Sequence, residues 1–97
     1  MTIGTKRLEN IELNISNIST LEEIGTAGLE AQIKKCAPNV DIHGFWSDDP
    51  YVYVECSGTE MDLCKMLKDM DMDIWDMEDH IDGEVLEALD AVLYPKS

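Results

Sequence analysis

Asp69, Asp71 and Asp73 stand at alternate positions, the spacing at which a calcium loop offers its first three oxygen ligands. The rest of such a loop is missing. Its sixth position is Ile74, where a glycine makes the sharp turn, and its twelfth is His80, where a bidentate glutamate belongs; a frame begun at Asp71 puts Trp75 fifth. No metal and no cofactor are therefore expected, only loose condensation of cations on carboxylates. His43, His80, Cys36, Cys56 and Cys64 lack the ligand spacing of a zinc site. Catalytic signatures are equally absent: there is no glycine-rich phosphate loop and no G-x-S-x-G. The run Cys56-Ser57-Gly58-Thr59 falls between an expected strand and an expected helix, where free backbone N–H groups could hold an anion. A turn and helix cap is the plainer use of those residues, so the chain is not expected to be an enzyme.

These residues have to be positioned by a small number of elements. Ile11, Leu13 and Ile15 alternate with Glu12, Asn14 and Ser16, which predicts a strand over about Leu8 to Asn17 with one wet face. Ser19 and Thr20 each precede a glutamate by three residues, so a capping box should open a helix running to about Cys36, with Leu21, Ile24, Gly28 and Ala31 near one face. Gly25 and Gly28 weaken that helix; close packing against the sheet is their expected role, a broken helix or a ligand-hugging loop the alternative. Val40, Ile42, Gly44 and Trp46 alternate with Asp41, His43 and Phe45, and Tyr51 to Cys56 is rich in β-branched and aromatic residues, so the two runs predict a hairpin turning at Ser47 to Pro50. Thr59 with Asp62 should open the next helix.

In that next segment Leu63, Met66, Leu67, Met70, Ile74, Met77 and Ile81 fall within an arc of about 100° on an α-helix, a core-facing stripe. A continuous helix from Thr59 to Ile81 would place Asp62, Asp69, Asp73, Asp76 and His80 within about 60° of one another, beside a patch containing Met72, Trp75 and Asp79. Asp82 and Gly83 should interrupt it, and a final helix should turn Val85, Leu86, Leu89, Val92 and Leu93 inward before Pro95. The order is β-α-β-β-α-α. It predicts an α+β fold: a single two-layer domain over residues 1–97, with helices on one face of a small antiparallel or mixed sheet.

Charge narrows the function. The 97 residues carry a net charge of −14, which repels nucleic acid and anionic membranes and speeds encounter with basic surfaces. From Asp69 onward there are ten carboxylates against Lys96 alone, and like charges three or four apart on a helix repel. Stability alone would favour interspersed lysines. Three cysteines, odd in number and in no CxxC pair, behind an N-terminus without an apolar signal stretch, predict a reduced, cytoplasmic setting and buried thiols. The expected function is a small acidic inhibitor or adaptor that binds a basic protein surface of the kind that holds nucleic acid. Asp62, Asp69, Met72, Asp73, Trp75, Asp76 and Asp79 are the candidate partner-binding residues. In general character the chain resembles the acidic, nucleic-acid-mimicking decoys that phages deploy against restriction or CRISPR systems. The alternatives are an immunity protein or antitoxin for a basic toxin and, from another class, a calcium-binding module or small ligand-binding domain.

Overall fold

The alternating run around Leu13 forms the first strand, β1 (Arg7–Asn17), in a computed structural model that describes residues 3–95; Lys96, the lone base of the acidic segment, lies outside them. Strands β2 (Asp41–Asp48) and β3 (Tyr51–Thr59) make the expected hairpin, and β3 is central, antiparallel to both neighbours in the order β1-β3-β2. Helices α1 (Ile18–Cys36), α2 (Glu60–Asp69) and α3 (Gly83–Leu93), with a 3₁₀ helix at Ile74–Asp79, complete the α+β domain. Leu13, Ile15, Val52, Val54 and Cys56 line the covered face of the sheet and are fully buried together with Leu29, Ile33, Leu63, Met66 and Leu67 from the helices.

A bulge decides which side of β2 faces the core. Ile42 pairs with Cys56, but Gly44 pairs with Glu55, so His43 is an extra residue. Beyond it the alternation is inverted: Phe45 packs against the core and Trp46, expected on the face of Val40 and Ile42, is exposed.

Helix α1 departs from expectation at its start and at its middle. Its N-cap is Asn17, whose side chain accepts the Thr20 N–H at 3.0 Å, so the strand's last residue caps the helix and neither Ser19 nor Thr20 does. Gly25 adopts φ 72°, ψ 174° and breaks the helix; a side chain there would touch nothing, so backbone freedom rather than close packing selects glycine. At Gly28 a β-carbon would lie 2.7 Å from Cβ of Ile24 in the same helix, not against the sheet. The break resets the phase of the helix. Leu29 and Ile33 are consequently buried, while Ala31, expected inward, is exposed.

The helix expected to run from Thr59 to Ile81 is three pieces. Thr59 does cap α2, its Oγ1 accepting the Asp62 N–H at 3.1 Å. At the other end Asp71 takes the left-handed conformation, φ 62°. The Asp71 N–H then donates to the Lys68 carbonyl at 3.0 Å and the Met72 N–H to the Leu67 carbonyl at 2.8 Å, the paired bonds of a Schellman ending with aspartate where glycine is usual. The order of stability at this position is thus expected to be Gly above Asp above Ala, each step up to about 1 kcal/mol. Chemical unfolding of Asp71→Gly and Asp71→Ala checks it, since a continuous helix would put alanine first and glycine last.

The apolar stripe survives the break. Ile74 and Met77 are fully buried and Ile81 nearly so, because the 3₁₀ helix repeats every three residues and keeps positions 74 and 77 on one line. Helix α3 lies against α2 and the 3₁₀ helix with Leu86 and Leu89 buried. Val92, expected inward, is exposed, since it stands at the rim of an apolar arc wider than that contact covers.

Candidate functional site

The acidic connector between α2 and α3 is anchored by Ile74, Met77 and Ile81, with Met70 and Met72 half-buried against the core, and exposes most of its carboxylates. With Ile74 and Met77 facing the core, the three-residue repeat sets Trp75 and Glu78 along one outer line, Asp76 and Asp79 along another. Trp75 is 41% exposed. Asp73 caps the 3₁₀ helix by accepting the Trp75 N–H at 2.9 Å, and Asp76 reaches β1, accepting the Asn14 N–H at 3.3 Å. Those two carboxylates are therefore fixed by backbone hydrogen bonds on either side of the exposed indole.

The remaining sequence-derived residues do not join them in one ridge. Asp69 lies at the end of α2 in a groove of about 610 Å³ with Lys35, Cys36, Lys65 and Asp71. Asp79 faces a different groove, shared with Lys6, Glu60, Glu78 and Asp82. Asp62 is half-buried at the start of α2, and Met72 is half-buried against the core. A straight ridge required one α-helix of 23 residues; the left-handed Asp71 and the change of helical pitch scatter its members over several sides of the connector.

Tyr94 ties the end of α3 to this connector. Its hydroxyl donates to the Met72 carbonyl at 3.2 Å, and Lys68 Nζ stands 5.8 Å from the ring centre. Burial, then the charges of Asp73, Asp90 and Asp71, push the phenol above its ordinary range. Among the described residues both ion pairs are made by Arg7, to Glu9 and to Asp41, so no carboxylate of the connector has a basic partner within 4 Å.

The polar groups that could carry chemistry are engaged within the fold. Ser57 is fully buried: its Oγ accepts the Asn10 N–H at 2.9 Å and lies 2.8 Å from His43 Nε2, so the hydroxyl cross-links β1, β2 and β3. Arg7, then Ser57, hold the Glu9 carboxyl below its usual range. The N-terminus of α2 has no free donors for an anion, because the Glu60 N–H is taken by the Lys6 carbonyl and the Met61 N–H by that of Gly4, each at 2.9 Å. Among the described residues no three His, Cys, Asp or Glu side chains converge to hold a metal ion, and no helix is long and apolar enough to cross a membrane. Cys56 and Cys64 are buried, and burial pushes both thiols up to about 12.

Sequence reasoning missed a second exposed feature. The Trp46 and Tyr53 rings stack with centroids 4.2 Å apart and planes at 14°, and Tyr51 meets Tyr53 edge-on at 6.5 Å. The alternation of Tyr51 and Tyr53 with buried Val52 and Val54 was visible in the sequence, but Trp46 joins them only because of the bulge at His43. No protein-family model, no curated protein and no solved structure matches this chain.

Proposed function

We propose that the protein is a small non-enzymatic inhibitor or adaptor that presses its acidic connector against a basic protein surface, of the kind that otherwise holds nucleic acid. The observation that carries this reading is Trp75: a large indole kept 41% exposed between two buried anchors, in a run of carboxylates none of which is ion-paired within 4 Å to a lysine or arginine of the described residues. Tryptophan is enriched among interface hot spots, and a predominantly negative field beside one supplies steering toward a cationic partner. Tight spacing of phosphate-like charges is not required. Carboxylates on several sides of the connector can engage lysines and arginines without reproducing a duplex phosphate by phosphate.

The test begins with capture of partners from cell extract, with nuclease treatment, followed by competition of the retained protein with DNA and RNA. A basic protein displaced by nucleic acid is expected; capture that is insensitive to both salt and nucleic acid would overturn the reading. With the isolated partner, the combined variant Asp69→Asn, Asp73→Asn, Asp76→Asn is expected to slow association and flatten its salt dependence, since exposed charges act over about 8 Å at physiological salt. Asparagine keeps the Oδ that caps Trp75 and the one that meets Asn14, so the fold is retained. Trp75→Ala is expected to speed dissociation, weakening binding by about 2 kcal/mol or more. Unchanged rates in both variants would remove the connector from the interface.

A further inference from the structure

The solvent face of the sheet carries a second array that the connector does not explain. On it the Trp46–Tyr53 stack, with Tyr51 at its edge, lies beside Glu12 and Glu55, which are directly paired across β1 and β3. Two like charges placed opposite each other on neighbouring strands destabilise a sheet, and neither has an ion-pair partner among the described residues. On the other side of Glu55 the cross-strand neighbour is Gly44, where an added β-carbon would meet nothing within 4 Å. The result is a side-chain-free notch bordered by a carboxylate pair and by stacked aromatic rings. Trp46 and Tyr51 are 41% and 52% exposed, so the rings are open to solvent.

We propose that this face binds arginine side chains of a basic polypeptide, the guanidinium stacking on the Trp46–Tyr53 pair while Glu12 and Glu55 accept its N–H groups. The proposal rests on the cationic partner inferred above and adds a second surface to the same complex. Charge complementarity selects the occupant. A planar cation satisfies both an aromatic face and a carboxylate pair, whereas a nucleic acid base could use the rings only by bringing its phosphates against the acids. Arginine is favoured over lysine because its fork matches paired carboxylates and its plane matches the rings.

The test is a titration of the full-length, isotopically labelled protein with nona-arginine and with nona-lysine at equal ionic strength, followed by amide and indole shifts. Nona-arginine is expected to move Glu12, Gly44, Tyr53, Glu55 and the Trp46 indole, and to bind roughly three- to thirty-fold tighter than nona-lysine. Trp46→Ala should erase that preference, Glu55→Gln should weaken both peptides, and Trp75→Ala should leave the preference intact. If Trp46→Ala fails to fold, the indole shift in the wild-type protein decides the matter. Shifts confined to residues 69–79 would overturn this inference and leave the connector reading standing, while shifts confined to the sheet would do the reverse. Equal affinity for the two peptides, or no shift on the sheet at all, also overturns it.

Discussion

Ile74→Ala is expected to lower the stability of the fold by about 2–5 kcal/mol, a large share of the roughly 5–15 kcal/mol available to a domain of this kind. Ile74 is fully buried at the first position of the 3₁₀ helix, among a core that also holds Met77, Leu86 and Leu89. Removing its outer carbons leaves a cavity, and the short 3₁₀ helix has little hydrogen bonding of its own to hold it in place. The same substitution should therefore loosen the presentation of Trp75, which is next in sequence. Urea unfolding measures the first effect, and hydrogen exchange at residues 73–80 the second. A loss below about 1 kcal/mol, as surface substitutions give, would mean that the connector is not anchored through this side chain.

Raising the pH is expected to destabilise the protein progressively between about pH 9 and pH 12. Burial raises the Cys56 and Cys64 thiols from an ordinary value of 9.0 to about 12, so the fold keeps two protons that the unfolded chain releases. Their contribution is intact below pH 9 and falls as the pH rises toward 12, by as much as about 1.4 kcal/mol per pH unit for each thiol. Tyr94, also raised, adds a loss of the same sign above pH 10. Denaturation curves collected from pH 8 to pH 11.5 should show the decline, and the double variant Cys56→Ala, Cys64→Ala should flatten it while starting from a lower stability at pH 8. A wild-type curve with no slope beyond that of the double variant would show that the thiols ionise equally in both states.

Both effects concern residues expected inside from the sequence, Ile74 by its place in the apolar stripe and the thiols by the irregular spacing of the cysteines. Of the stripe, Leu63, Met66, Leu67, Ile74, Met77 and Ile81 are buried and Met70 is half-buried, although the helix that defined it is broken. Apolar spacing of three and four fits an α-helix and, locally, a 3₁₀ helix, so it identifies what must be covered without fixing the pitch. The polar residues have no such constraint: an aspartate facing water is equally satisfied on any side of the connector, so the ridge inferred from a uniform 100° step dissolved once Asp71 turned left-handed.

The sequence by itself determined the order of elements, the hairpin, the Thr59 cap, the inward face of β1 and the burial of Cys56 and Cys64, because each follows from local period, turn chemistry or the cost of exposing apolar surface. Only the tertiary structure decided the rest. The Asn17 cap, the Gly25 break, the Asp71 ending and the His43 bulge each hinge on one residue's backbone or hydrogen bonds, and an aspartate or histidine in such a place carries no local signature. The bulge matters most for function: a single unpaired residue inverts every side chain beyond it, and that inversion put Trp46 beside Tyr53 on the open face rather than in the core.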